Sequence, residues 1–355
     1  MTVPLAISLL LLLSGPAAGA SEAARLKALA AQYAAAGDPR AAETFEQAIA
    51  AAPGDFPLRV ELAEYLWHIG ERERGNAQME RLLRLVPDNP KLKAHYGVNL
   101  AEQGRYVQAA EQLDAARRDG FDGADVLYYL GSVLWETGRL DEAAQRLREA
   151  VAKDPAKAAA RHRLGRLLIF QGKPSEAVVE LSRASEIQPG AVDILLDFGR
   201  ALEASGDVSL AEATYRRALD REPKTPLAHY LLGTLLARTG KREEATKHVA
   251  LYQRAFAQDQ QARFRSGARQ AELNLGWTEL KKNRFTEALA QFTRHPDDAE
   301  GLRGAAQALA GLGRHVEALR ALERAVLLDP ENRALRYELE RARQRSEKNQ
   351  PSAKK

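Results

Sequence analysis

Eight side chains in this sequence are of the types that hold other molecules: Trp67, Tyr128, Trp135, His162, Arg163, Arg166, Phe170 and Arg200. Aromatic rings and guanidinium groups dominate protein-binding hot spots because they join a large apolar area to well-directed hydrogen-bond donors. None of them falls into a pattern that does covalent chemistry. The seven histidines, at 68, 95, 162, 229, 248, 295 and 315, include no His-Glu-x-x-His pair for zinc, and there is no Gly-x-Ser-x-Gly elbow, phosphate-binding loop or dinucleotide fingerprint. The absence of cysteine excludes thiolate nucleophiles, zinc-thiolate sites and disulfides. The carboxylates are as well explained by solvated helix faces. These residues therefore predict a noncovalent binder with no catalytic residue, no cofactor and no metal.

The elements that position them are set by a period. Gly70, Gly104, Gly138, Gly172, Gly206 and Gly240 are spaced 34 residues apart, and Gly97, Gly131, Gly165, Gly199 and Gly233 form a second ladder with the same step. Ala109, Ala143, Ala177, Ala211 and Ala245 keep that register, as do Pro53, Pro87, Pro155, Pro189 and Pro223, with Phe121 breaking the proline column. A period of this length marks a stack of helix pairs. Such a stack offers a long surface and no enclosed reaction pocket. Within residues 124–157, Leu127, Leu130-Gly131 and Leu134 lie on a first helix, Gly138 on the turn, Ala143, Leu147 and Ala150 on a second helix, and Pro155 closes the unit. Glycine and alanine let the helices approach, leucines at helical spacing fill the seam, and the turn glycine takes the left-handed conformation that ends the first helix.

This pattern resembles the tetratricopeptide repeat, W-x2-L-G-x2-Y followed by A-x3-F and P. The resemblance covers about residues 22–332 and implies an all-α, right-handed superhelical solenoid of about nine repeats. Phasing gives seven regular repeats over 21–259, with Leu29 in the first Leu-Gly glycine slot and Ala63 in the second. The next Leu-Gly is Leu275-Gly276, 43 residues after Gly233, and the following slot, Ala306, comes only 30 later. Between Lys241 and Gln270 there is no proline and one glycine, a composition that favours extended helix over loop. The reading is an irregular helical connection at 260–268, two further repeats at 269–332, a polar capping helix at 333–346 with Leu335 and Leu339 inward, and a basic disordered tail at 347–355.

On each first helix the buried face uses the glycine, the residues one and four before it and the residue three after. At 100° per residue the positions three before, one after and four after point elsewhere. In the tetratricopeptide family that second stripe faces the concave groove. Here it holds Val60, Glu64 and Trp67; Ala94, Val98 and Ala101; Tyr128, Ser132 and Trp135; His162, Arg166 and Ile169; Leu196, Arg200 and Glu203; Tyr230, Thr234 and Ala237, with Arg163 and Phe170 beside it. The competing account of each is packing, with Trp135 against the next helix and the arginines paired to Asp193, Asp197 or Glu203. Family members that bind acidic chaperone tails use Lys and Asn in these slots. The slots three before the glycine hold no Lys and those one after hold no Asn, which argues against that activity.

The net charge of +4 gathers in the tail, where Arg341, Arg343, Arg345, Lys348, Lys354 and Lys355 face only Glu347. The body is near neutral and predicts no nucleic-acid partner. At the other end, the apolar run from Leu5 to Leu13, Ser14-Gly15-Pro16 and Ala18-Gly19-Ala20 form a secretory signal at residues 1–20, cleaved after Ala20, with no positive side chain before the apolar run. That run is too short to span a bilayer, so no stable membrane insertion is expected after cleavage. The expectation is an exported, periplasmic or secreted scaffold that binds a peptide or helix of a protein partner in a cell-envelope complex. The alternative is an accessory subunit that positions a cell-wall or polysaccharide enzyme and stacks sugars on Trp67, Tyr128 and Trp135.

Overall fold

A computed structural model describes residues 21–348, Pro39 apart; the segment 1–20, expected to be a signal, and most of the basic tail lie outside the described residues. Those described form eighteen helices and no strand. They are α1 (Glu22–Ala36), α2 (Arg40–Ala51), α3 (Phe56–His68), α4 (Arg72–Leu85), α5 (Pro90–Glu102), α6 (Tyr106–Arg118), α7 (Ala124–Glu136), α8 (Leu140–Lys153) and α9 (Ala158–Phe170). The rest are α10 (Pro174–Ile187), α11 (Val192–Ser205), α12 (Val208–Arg221), α13 (Pro226–Arg238), α14 (Arg242–Lys281), α15 (Phe285–Phe292), α16 (Ala299–Gly311), α17 (His315–Leu328) and α18 (Arg333–Lys348). Residues 83–262 form one compact unit; residues 21–82 and 263–348 belong to another. The sequence boundaries at 260 and 268 both fall inside α14. No helix among the described residues is long and apolar enough to cross a membrane.

In the unit of residues 83–262 the two glycine ladders do different work. Turn glycines 104, 138, 172, 206 and 240 all have φ between +70° and +93°. At Gly138 the next amide, Arg139 N, reaches back to Leu134 O at 2.9 Å and closes α7. The crossing glycines are steric. A Cβ on Gly131 would stand 2.7 Å from Leu147 Cγ, one on Gly165 2.5 Å from Leu181 Cγ, and one on Gly199 2.3 Å from the Tyr215 ring. Leu147, Leu181 and Tyr215 are fully buried there, each contributing the ~1.5–3 kcal/mol of a buried large side chain. Successive repeats then pack through a second face: Ala160 of α9 sits on Leu127 and Ala150, and Ile194 of α11 on Ala158 and Ala184.

In the other unit, α1–α3 build a core from Ala30, Phe45, Ile49, Leu58, Leu62 and Leu66. Here the structure corrects the phasing. The left-handed turn residue is Gly37, only 33 residues before Gly70, so the crossing slot moves from Leu29, which is 37% exposed, to Ala30, which is fully buried. In the eighth repeat the turn is made by Asn283 at φ 58°, asparagine being the residue after glycine that tolerates this region. Gly276 of α14 and Gly304 of α16 both lie against Phe292 of α15. The final helix α18 covers the end of the ninth repeat, with Leu335 on Leu302 and Ala325 and Leu339 on Ala306 and Leu322.

Candidate functional site

The predicted site residues separate into three settings. Arg163, Arg166 and Phe170 stand at i, i+3 and i+7 on α9 and share one face. Trp135, near the end of α7, lies beneath the two arginines, with the Arg163 guanidinium carbon 4.5 Å and that of Arg166 5.5 Å from its ring centroid. Both are within cation–π range. Arg163 also donates to Glu136 Oε1 at 2.6 Å. On α11, Asp197 receives the next contacts: Arg166 Nε at 3.4 Å, Arg200 at 3.4 Å and His162 Nε2 at 2.8 Å. The result is a continuous strip, Glu136–Trp135–Arg163–Arg166–Asp197–Arg200, crossing three successive repeats.

Exposure along the strip is uneven. The Asp197 side chain is 15% exposed, whereas Arg166 and Arg200 keep 44% and 48% of their side-chain surface. Phe170 is 67% exposed. Burial alone would push the Asp197 carboxyl up, but the hydrogen bond and charge of His162 and the charges of Arg166 and Arg200 outweigh it and hold it below the usual carboxylate value. Asp197 is thus a fixed anion that orients two arginines without enclosing them. Under the strip, Ser132 Oγ and Arg163 Nε are buried without a hydrogen-bond partner, an uncommon condition that costs stability and marks a site in need of an explanation.

Tyr128 and His162 take a different place. They occupy the column that meets the following repeat, and the structure sets them in the seam and not on an open face. Tyr128 packs beside the Leu127–Ala150–Ala160 cluster with Lys157 Nζ 5.8 Å from its ring centroid, and His162 reaches across to Asp197. Trp67 belongs to the other unit. It donates to Asn76 Oδ1 at 2.9 Å, and its indole occupies the space a Cβ on Gly75 would need, which explains the glycine where the second helix normally carries alanine.

Asp197, the hub of the strip, is absent from the predicted set because it stands two residues before Gly199, between the stripes the periodicity distinguishes. Arg163 occupies the same column, and an acid and a base there in successive repeats were the available signal. No cluster of three or more metal-ligating side chains occurs among the described residues.

Two family models described as tetratricopeptide repeat match the chain, one over residues 134–192 and 171–235, the other over 60–123, 96–158 and 273–334. Together they cover well over half of it. No curated protein matches the chain. Among solved structures it is similar to YrrB, a TPR protein with an unusual peptide-binding site, at 25% identity over 53% of this chain and 97% of that one, with a TM-score of 0.47. It is also similar to MamA, at 21% identity over 48% of this chain and 92% of that one, with a TM-score of 0.45.

Proposed function

The chain belongs to the tetratricopeptide-repeat family, and from that premise we propose a non-catalytic scaffold or adaptor of the cell envelope that docks a peptide or helix of a partner protein on the α7–α9–α11 strip. Arrays of this family are protein-interaction scaffolds and are generally non-catalytic. The observation that carries the reading is that Arg166 and Arg200 are held by the partly buried Asp197 yet half exposed, beside the bare Phe170 ring. Preformed donors next to an apolar contact suit a segment that carries a carboxylate beside an apolar side chain. Binding on a rigid helical array needs little ordering of the receptor, which favours affinity. The sugar-stacking alternative has less support, since Trp135 has guanidinium groups over its ring, Tyr128 is in a seam and the Trp67 indole lies against Gly75.

An array of acidic-apolar peptides probed with the purified chain tests this. The double variant Arg166→Glu, Arg200→Glu and the single variant Phe170→Ala should each lose the bound peptides while keeping wild-type helicity. Retention of binding by both would place the interface elsewhere. The envelope location rests on the apolar run from Leu5 and the Ala18-Gly19-Ala20 end. N-terminal sequencing of the cellular protein should begin at Ser21; an intact Met1 on a cytoplasmic species rules export out.

A further inference from the structure

Every regular repeat presents two faces, one to its predecessor and one to its successor. On the first helix the predecessor face is a stripe five before, one before and two after the crossing glycine. It is Ala160, Leu164 and Leu167 in α9 and Ala228, Leu232 and Leu235 in α13, all buried. The successor face joins the residue three before the glycine to an alanine of the second helix. Leu196 is 5% exposed, and Ala150, Ala184 and Ala218 are fully buried.

At α14 both kinds of face are bare. The successor face of the seventh repeat is Tyr230 of α13 with Tyr252 in the alanine column. Tyr230 is 44% exposed, and the rings of Tyr230, Tyr252 and Phe256 form a ladder with centroid spacings of 5.1 and 6.1 Å. The predecessor stripe of the eighth repeat is Ala271, Leu275 and Thr278, all exposed, and it continues up the helix through Ala268 to Phe264, which is 78% exposed. Every residue from Phe256 to Ala271 is exposed. A helix of that length without packing cover is marginal in water, and this one carries the exposed rings Phe256 and Phe264 on a surface otherwise made mostly of polar residues.

We propose that α14 is a dimerisation helix: a second copy of this chain lays its Phe264–Leu275 stripe on the Tyr230–Tyr252–Phe256 ladder, and receives the same in return. The occupant follows from register, since this face is the continuation of the repeat-on-repeat interface and the stripe that fits it is carried by this sequence itself. Orientation is consistent. A first helix runs antiparallel to the second helix before it, so the end of one α14 runs antiparallel to the start of the other, giving the two-fold, self-complementary contact that closes without polymerising. Placing Ala271 on the second copy's Tyr252, as Ala160 sits on Ala150, brings the Phe256 ring to the second copy's Gly267, where a side chain would meet nothing within 4 Å. Small residues on one face meet rings on the other, and Gln260 comes close to its own counterpart at the axis.

Light scattering of the purified chain from Ser21 onward tests the proposal. Twice the monomer mass is expected at micromolar concentration, and a monomer at all concentrations overturns it. The double variant Phe264→Asp, Leu275→Asp alters only exposed positions, so it should remain helical yet raise the dimer dissociation constant by about a hundredfold or more, since each aspartate would be buried unpaired; an unchanged dimer overturns the assigned face. The chain has no cysteine, so Gln260→Cys with a short bis-maleimide should give covalent dimers in the wild-type background and far fewer in the double variant. Equal yield from Arg217→Cys, an exposed site on α12, would mean random collision and overturn it.

Discussion

Helix α9 and residues 271–281 of α14 are the same element of the repeat, and only one of them is covered. Each sets its crossing glycine on a large side chain of the helix that follows, Gly165 on Leu181 and Gly276 on Phe292. Their predecessor stripes differ completely: Ala160, Leu164 and Leu167 are buried, while Ala271, Leu275 and Thr278 are exposed. Pairing within a repeat is therefore specified by that repeat's own residues. Coverage of the predecessor stripe is not specified in the same way, and nine extra residues stand before Gly276 in the sequence. Nearest-neighbour interfaces carry a large part of the stability of a repeat array, so the two regions should answer differently to the same substitution.

Glycine to alanine separates them most sharply. At Gly199 the new methyl would stand 2.3 Å from the ring of fully buried Tyr215, and overpacking of that kind costs about 1–3 kcal/mol. We expect the high end, because Tyr215 is further held by its hydroxyl donating to Glu203 at 3.0 Å. A lowered urea midpoint for the 83–262 unit is the readout. Next in size, Asp197→Ala should cost about 1–2 kcal/mol, since it strips the acceptor from His162, Arg166 and Arg200 at one inter-repeat contact. The sign of its pH dependence is fixed: a carboxyl held below its unfolded value stabilises fully above about pH 4 and loses that contribution as pH falls through the folded value. Wild type and Asp197→Asn should thus converge in acid. In the monomeric Phe264→Asp, Leu275→Asp background, where Gly267 has nothing within 4 Å of its missing side chain, Gly267→Ala should instead raise stability by roughly 0.8–1 kcal/mol through helix propensity. Destabilisation there, seen as earlier proteolysis within residues 256–271, would contradict the bare-helix description.

What could be read in advance was what is periodic. The turn and crossing ladders fix helix ends and crossings because only glycine is cheap at positive φ or at a Cβ-free contact. Where another residue does the same work the reading slips: Gly37 lies one residue off register and moves the slot to Ala30, and Asn283 serves as a turn residue that a search for glycine passes over. The strip was half visible. Trp135, Arg163, Arg166, Phe170 and Arg200 were found by type and spacing, whereas Asp197 was named only among the acids the arginines could pair with, because its role as the hub comes from two helices meeting. Tyr128 and His162 have the right types in a column that the next repeat covers, and a one-helix periodicity has no term for the neighbour. The ladder of Tyr252 and Phe256 was missed for another reason: Tyr252 stands in a column that the regular repeats fill with a buried alanine, and the periodicity gives no role to a ring there.

The smallest expected effect tests where the regular array ends. At the α13–α14 crossing His229 Nδ1 and His248 Nδ1 are 2.9 Å apart, and His229 Nε2 is 2.9 Å from Pro223 O. A carbonyl only accepts, so His229 carries its proton on Nε2, leaving Nδ1 to accept from His248 Nδ1–H. One proton fits between the rings; charging both would set two donors face to face. Burial and then His229 push the His248 pKa down, Arg216 of α12 adds to that, and Glu244, 3.9 Å away, opposes it. A histidine depressed in the fold is neutral near pH 7, and its contribution is lost as pH falls from the unfolded value of about 6.5 through the lower folded one. Amide exchange in α13 and the first turns of α14 should therefore accelerate between pH 7 and pH 5, after correction for intrinsic rates, more than in the α9–α10 crossing, where Leu181 meets Gly165 without a titrating pair. His248→Gln should remove the difference. If both crossings loosen equally, the acid response belongs to the whole array, and the seventh repeat is not the edge that the bare faces of α14 make it.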